Sequence, residues 1–130
     1  RERRVIMGGK MVEKPTAQIN IGRATSLLSS ARAAVENACH EIDQRIESNT
    51  VPTEADYLRQ MSIISMSVEQ LAEAMQLLER TQGGNGLREG GTFERRYRDF
   101  RAMPLHINVH QDRVTHQIGR FVLDIERDPF

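Results

Sequence analysis

The sequence predicts an all-α fold, an up-and-down four-helix bundle, on three observations. Apolar residues recur at spacings of three and four along two long stretches, as they do on the buried face of a helix. Glycine, proline and short polar runs separate the periodic stretches, so the connections between helices are short. No segment alternates apolar and polar residues over a useful length, so strands are not expected.

Composition and charge limit the class of protein. The 130 residues, 38% of them hydrophobic and 28% charged, suffice for one globular domain. The 18 basic and 18 acidic residues cancel, which disfavours a nucleic-acid binder. No apolar run is long enough to span a membrane, no signal peptide is visible, and the single Cys39 fits a reducing compartment. We therefore expect a cytoplasmic protein that binds neither nucleic acid nor a membrane.

The chain divides into a short leading segment, residues 1–14, and a helical bundle, residues 15–130. It opens with Arg-Glu-Arg-Arg and no initiator Met, which we interpret as a piece of a longer polypeptide. Pro15 suits the first turn of a helix, and this first helix is predicted to end near Ser48 and Asn49. Its apolar face comprises Ala24, Leu27, Leu28, Ala31, Val35, Ala38, Ile42 and Ile46.

The second helix has the clearest pattern. Thr53 is a good N-cap, and Asp56 three residues later completes a capping box. Gly83 and Gly84 end the helix. Between the capping box and these glycines, the helix has a heptad-like stripe of apolar residues, of the kind that antiparallel bundle helices present to one another. Its members are Tyr57, Met61, Ile64, Val68, Leu71, Met75 and Leu78.

Two shorter helices complete the predicted bundle. Phe93, Tyr97 and Phe100 mark the third helix, and Pro104 must interrupt or kink the chain after it because proline lacks an N–H. The fourth helix is predicted from about Ile107. Its apolar face comprises Val114, Ile118, Phe121, Val122 and Ile125.

The glycine-rich turn and the charged helix after it have two interpretations each. Gly83, Gly84, Asn85 and Gly86 form either a helix end followed by a flexible turn, which spacing favours, or a close backbone approach to a flat or phosphorylated ligand. In the third helix, Glu94 with Arg98 and Arg95 with Asp99 are spaced to form ion pairs. That face is either solvated or partly buried against the aromatic residues.

The histidines after Pro104 are the candidate reactive groups. His106 and His110 are spaced as neighbours on one helical turn and could chelate zinc, but no Cys ligand or HExxH motif accompanies them. We therefore predict no metal site. A histidine just after a kink, aimed into a cleft, suits acid–base chemistry because its pKa can be tuned near neutrality.

Three segments together look like the C-terminal helical domain of the acyl-CoA dehydrogenase superfamily. These are "RVIMGGKMVEKPTAQ" before the first long helix, "GGNGL" after the second, and "FERRYRDFRA" in the third. The resemblance covers essentially all of the chain. It implies a complete enzyme with an additional N-terminal helical domain and a central β-domain, and an isolated 130-residue fragment that is inactive.

Within this superfamily the chain resembles the flavin-dependent monooxygenase branch. True dehydrogenases commonly follow "RD" with a Tyr-Glu-Gly-Thr-like stretch, whose Glu in many members removes the substrate's α-proton. The matching stretch here begins at His106 and holds no carboxylate through Val109. A histidine at this place is similar to that of two-component aromatic hydroxylases and dibenzothiophene monooxygenases. The resemblance implies that His106 is catalytic and stabilises or protonates the flavin peroxide.

The same resemblance implies the cofactor and the partners. The cofactor is a flavin, either FAD or reduced FMN or FAD. Gly83, Gly84, Asn85 and Gly86 would lie near it, often across a subunit boundary, and Arg4 matches the family's arginine that reaches the flavin phosphates. The implied partners are further copies in a homo-oligomer (dimer or tetramer), a separate flavin reductase and a small-molecule substrate.

Two alternatives stay open from the sequence. One is an FAD-dependent acyl-CoA dehydrogenase that acts on CH–CH bonds and keeps its base elsewhere. The other is a non-catalytic helical oligomerisation domain that keeps the bundle and binds no flavin. Identification of the bound flavin separates all three functions.

Overall fold

The computed structural model describes residues 5–6, 9–82 and 90–126. Near the N-terminus, strands β1 (Val5–Ile6) and β2 (Gly9–Lys10) pair antiparallel, with Val5 opposite Lys10. Sequence analysis did not predict this pair because two-residue strands are too short to show alternation. A 3-10 helix, Met11–Glu13, leads into the first long helix.

Four α-helices follow within the residues that the structure describes, and the predicted all-α class is confirmed. They are α1 (Pro15–Glu47), α2 (Glu54–Gln82), α3 (Thr92–Phe100) and α4 (Gln111–Val122), with a second 3-10 helix, Met103–Leu105, between α3 and α4. The last helix begins at Gln111 and not near Ile107, because residues 107–109 form a turn after the proline-containing 3-10 helix. No helix in the described ranges is long and apolar enough to cross a membrane.

Local sequence sets the turn between α1 and α2. Asn49 adopts a left-handed conformation (φ 51°), and the Thr50 N–H donates to the Arg45 carbonyl at 2.9 Å, which is the bond that closes a Schellman helix end. At the start of α2 the predicted capping box is present. The Thr53 N–H donates to the Asp56 carboxylate at 2.9 Å, and the Asp56 N–H donates to the Thr53 hydroxyl at 3.2 Å.

Helices α1 and α2 form the largest interface, and the fully buried residues on its α1 side are all alanines. Ala17, Ala24, Ala31 and Ala38, spaced by seven residues, are each no more than 4% exposed. Small side chains let two helix axes approach closely, and the Ser67 hydroxyl of α2 reaches the Ala31 carbonyl at 3.5 Å. The larger residues of the predicted α1 face are mostly not buried here: Leu28, Val35, Ile42 and Ile46 are exposed.

Helix α2 is the central element, because α1 packs on one side of it and α4 on another. The buried surface of α2 is therefore wider than the predicted stripe and includes Leu58, Ser65 and Leu77. Within the stripe, Met61 and Val68 are buried, while Tyr57 and Ile64 are each 44% exposed. Part of the stripe thus faces away from both neighbouring helices.

Candidate functional site

The candidate site starts at the segment that connects α3 to α4. His106 caps the 3-10 helix with extended backbone (φ −70°, ψ 131°), and the Val109 N–H donates to the His106 carbonyl at 3.0 Å to close a turn. His110 is the N-cap residue of α4 and is also extended. The prediction that His106 and His110 lie one helical turn apart is therefore wrong, because Pro104 and the turn at 107–109 separate them from the helix.

The ring of His106 has one nitrogen engaged and one available. The side chain is exposed, and its Nδ1 accepts a hydrogen bond from the Asn108 N–H at 3.3 Å. A ring nitrogen that accepts an N–H carries no proton, so in the neutral imidazole the proton resides on Nε2. The backbone thereby selects a tautomer in which Nε2 is the donor.

A buried serine of α2 anchors this segment. Ser65 is 1% exposed, and its hydroxyl shares its one proton between two acceptors, Oε1 of Gln111 at 2.5 Å and the Val109 carbonyl at 3.2 Å. From α4, a guanidinium N–H of Arg113 donates to the Ile107 carbonyl at 3.2 Å. The turn that follows His106 is therefore tied to two helices, which restricts where the imidazole can move.

Helix α3 lies beside this segment and has an aromatic edge. The rings of Phe93 and Tyr97 stack with centroids 5.9 Å apart and planes inclined by 17°. Of the two predicted ion pairs, Glu94 and Arg98 form one at 3.4 Å. Arg95 and Asp99 are both exposed and do not form the other, as an exposed pair gains little from holding two long side chains in place.

A cavity of about 320 Å³ lies between α2, α3 and the second 3-10 helix. Tyr97 and Glu79 both line this cavity. Burial of the Tyr97 hydroxyl, together with its hydrogen bond to the Glu79 carboxylate, raises the pKa of Tyr97 above its ordinary value of 10.0. Tyr97 is therefore protonated at neutral pH and acts as a hydrogen-bond donor. The cavity also contains a cationic group, an amide and a second aromatic ring. Its lining comprises Ala72, Gln76, Glu79, Tyr97, Phe100, Arg101 and Pro104.

The structure brings some of the predicted site residues together and leaves others undescribed. Pro104 lines the cavity, but His106, two residues later, does not and is exposed to solvent. The predicted flavin-binding residues Arg4, Gly83, Gly84, Asn85 and Gly86 lie outside the described residues. Among those that are described, no three His, Cys, Asp or Glu side chains form a group that could hold a metal ion.

Sequence reasoning missed two parts of this region. Ser65 is a small polar residue inside an apolar stripe, and such an interruption is a usable signal that a buried hydroxyl has a partner. Glu79 and Arg101 carry no comparable signal, because charged residues on helix surfaces are common and only the packing of α3 on α2 brings them to one cavity.

Similarity to known proteins extends along most of the chain. The family model described as acyl-CoA dehydrogenase, C-terminal domain, matches residues 1–111. Among curated proteins, the chain is similar to the oxygenase component of an FADH(2)-dependent resorcinol hydroxylase from Rhizobium sp. (strain MTP-10005), with 29% identity over 133 residues. That alignment covers 95% of the chain and 32% of the relative, so the chain spans about a third of the relative's length. No solved structure matches the chain significantly.

Proposed function

The chain belongs to the family of acyl-CoA dehydrogenase C-terminal domains, and on this premise we propose that it is the C-terminal domain of a flavin-dependent monooxygenase. This enzyme uses reduced flavin and O₂ to oxygenate a small-molecule substrate. The similarity to the oxygenase component of a flavin-dependent hydroxylase supports the monooxygenase branch. An oxygenase component implies a separate reductase, and we propose that one supplies the reduced flavin.

The observation that carries the proposal is the position and the tautomer of His106. The turn after this residue is anchored to α2 through Ser65, and Nδ1 accepts the Asn108 N–H at 3.3 Å. The proton of the neutral ring is therefore held at Nε2, on the side free to meet a reactant. Stabilisation of negative charge on an oxygen atom needs this arrangement, a positioned ring with one defined donor.

The described residues suit part of a flavin. The cavity between α2 and α3 combines two aromatic rings, Tyr97 and Phe100, with the guanidinium of Arg101 and the amide of Gln76. Aromatic faces suit a flat ring system, an amide can pair with its polar edge, and a guanidinium suits a phosphate or an anionic ring. At about 320 Å³ the cavity holds only a portion of the cofactor, and we propose that Arg4 and residues 83–86 contact the rest.

Each group has a separate task in the proposed reaction. Bound reduced flavin supplies the two electrons that activate oxygen. His106 would donate a hydrogen bond from Nε2 where negative charge develops on oxygen, and the Ser65 anchor holds the segment that carries the imidazole in place. The donor groups of the cavity orient the ligand, and its aromatic rings exclude water.

The test uses the protein at its natural length, its visible spectrum and its oxygen consumption. We expect little bound oxidised flavin after purification, and rapid oxygen consumption only when chemically reduced FAD or FMN is added with substrate. Tightly bound FAD together with oxidation of acyl-CoA thioesters would replace the proposal by the dehydrogenase function. Failure to bind either flavin in either redox state would favour the third alternative, a non-catalytic helical oligomerisation domain.

A further inference from the structure

We propose that a cavity at the turn between α1 and α2 binds a small organic carboxylate with an apolar tail. This cavity, called the turn cavity below, has a volume of about 450 Å³. Most of its lining comes from four apolar side chains and two polar ones, Ile42, Ile46, Val51, Pro52, Arg45 and Gln60. The inference does not rest on flavin chemistry, so it can hold or fail separately from the proposed function.

Local sequence shapes the turn cavity at the point where α1 ends. Ile42 and Ile46 lie one helical turn apart near the end of α1. The left-handed Asn49 (φ 51°) follows the helix, and Val51 and Pro52 lie in irregular backbone before α2 begins. The apolar walls of the cavity therefore come from two neighbouring segments that meet because the chain turns sharply between them.

The guanidinium of Arg45 is only partly engaged by the protein. Arg45 is the one charged residue among the described residues that line the turn cavity. Its Nη2 pairs with the Asp56 carboxylate, whereas its Nη1 is buried and has no hydrogen-bond partner in the described part of the chain. A buried charged donor without an acceptor costs free energy, and a ligand oxygen that reaches Nη1 recovers it.

The carboxylates near Arg45 have other partners as well. Asp56 also accepts the Thr53 N–H at 2.9 Å and the Thr53 hydroxyl at 2.7 Å. Glu41 is paired with Arg59 across the hairpin. A guanidinium has five N–H donors in one plane, so Arg45 can bind a second carboxylate at the edge that Asp56 does not occupy.

The size and the polarity of the lining define the class of ligand. Pockets for small molecules measure about 300–1,000 Å³ and combine apolar walls with a few polar groups, as the turn cavity does. A carboxylate forms the strong, charge-assisted hydrogen bond that a guanidinium favours, and the Gln60 amide adds a further donor. The apolar walls suit a hydrocarbon tail, because polar atoms placed against them would lose their hydrogen bonds to water.

The turn cavity is open to solvent and separate from the candidate site. Ile46 and Val51 are 71% and 83% exposed, so their side chains are free to turn aside as a ligand approaches Arg45. Gln60 and Gln76, which line the turn cavity and the α2–α3 cavity respectively, lie about 24 Å apart along α2 at about 1.5 Å per residue. A carboxylate in the turn cavity therefore does not compete with a ligand between α2 and α3.

Saturation-transfer NMR of the protein at its natural length tests the proposal, with octanoate as the probe and 1-octanol as its uncharged control. We expect octanoate to bind, and 1-octanol to bind at least tenfold more weakly, because only the carboxylate forms a charge-assisted hydrogen bond with Arg45. Absence of octanoate binding would overturn the proposal. Equal affinities for the two probes would also overturn it, since the cavity would then recognise only the tail.

Variants locate the bound probe. Ile46→Glu puts a carboxylate into the lining, and Ile19→Glu puts the same charge at a 66% exposed position of α1 that does not line the turn cavity. We expect Ile46→Glu to weaken octanoate binding at least tenfold and Ile19→Glu to leave it unchanged. Arg45→Gln is expected to lower the affinity for octanoate to that for 1-octanol, and circular dichroism checks the folding of each variant. Octanoate binding that is unchanged in Ile46→Glu would place the probe elsewhere and overturn the proposal.

Discussion

At the residue scale, two side chains decide the chemistry available after α3. His106 has its Nδ1 occupied by the Asn108 N–H, and Ser65 holds the Val109 carbonyl from inside the core. The first contact orients the proton on the ring, and the second limits the movement of the segment that carries the ring. A single substitution can remove each of these contacts.

Replacement of His106 tests its proposed role as a hydrogen-bond donor in the protein at its natural length. We expect His106→Asn to lower product formation by a factor of about 10² to 10³ and to raise the hydrogen peroxide released per reduced flavin, because the positioned imidazole donor is lost. His110→Asn is the matched control, since His110 is also exposed and lies four residues away. Equal coupling of oxygen consumption to product in all three proteins would contradict the assignment.

Removal of the Ser65 hydroxyl tests the anchor. Ser65→Ala is expected to lower the free energy of unfolding by about 1–2 kcal/mol, because the Val109 carbonyl loses its donor. Ser67→Ala is the control, as Ser67 is equally buried in α2 but its bond to the Ala31 carbonyl is long, at 3.5 Å. Urea unfolding of both variants gives the two values, and a larger loss for Ser67→Ala would refute the anchor.

At the element scale, the α1–α2 hairpin depends on close approach at its seam and on defined helix ends. Ala24 packs against Ala74 and Leu77 in the buried cluster at the seam. At the turn, Arg45 of α1 pairs with Asp56 of the capping box, so that one carboxylate serves both the α2 N-terminus and the contact between helices. Both features predict effects on stability that do not involve the candidate site.

The alanine seam predicts that larger side chains are not tolerated in it. Ala24 is 1% exposed, so Ala24→Leu must push the helices apart and is expected to cost roughly 1–3 kcal/mol. Ala33→Leu makes the same change on the exposed side of α1 and is expected to stay within about 0.5 kcal/mol of the parent. Thermal denaturation compares the two variants. Equal melting temperatures would show that the space between α1 and α2 accommodates a leucine at residue 24.

The capping box predicts a pH dependence of stability. Hydrogen bonds from the Thr53 side chain and backbone, and then the charge of Arg45, lower the pKa of Asp56 below its ordinary value of 3.8. A lowered folded pKa means that this contribution is fully present above 3.8 and is lost as the pH falls through that value and through the folded one.

We therefore expect the urea midpoint of the parent to fall more between about pH 5 and pH 3 than that of Asp56→Asn, which has no carboxylate to protonate. The control is Asp43→Asn, at an exposed position on α1 with no ion pair in the described ranges. It should follow the parent. Parallel curves for the parent and Asp56→Asn would rule out the coupling.

At the scale of the whole molecule, other helices pack around α2. Helix α1 packs on α2 and on the first 3-10 helix, while α4 and the second 3-10 helix pack on other parts of α2. The α2–α3 cavity lies at the C-terminal half of α2, where Ala72, Gln76 and Glu79 line it. Helix α2 therefore contributes to the hairpin with α1, to the anchor of the segment after His106 and to the cavity.

The length of the chain gives a prediction at this scale. Because it spans about a third of a related oxygenase component, we expect the 130 residues by themselves to be helical but to consume oxygen with reduced flavin no faster than the flavin alone. An oxygen electrode measures the rate, with the natural-length protein as the positive control. Catalysis by the 130 residues alone would place a complete site within this chain.

The sequence by itself determined the helices and most of their ends. Pro15, the Thr53–Asp56 capping box and the apolar period of 57–78 act through contacts within four residues along the chain, so local sequence is sufficient to predict them. The role of His106 stays a prediction. The fourth helix was predicted to begin near Ile107 and begins at Gln111, because the effect of Pro104 extends further than a single kink.

Only the tertiary structure decided which apolar residues are buried. An α2 stripe of seven residues looks uniform in sequence, yet Met61 and Val68 face the interior while Tyr57 and Ile64 face outward, because burial depends on neighbours from distant parts of the chain. The same reason applies to the Ser65 anchor and to the meeting of Glu79 with Tyr97. A periodic pattern specifies a helix and its apolar side, and the packed partners specify how much of that side the fold itself covers.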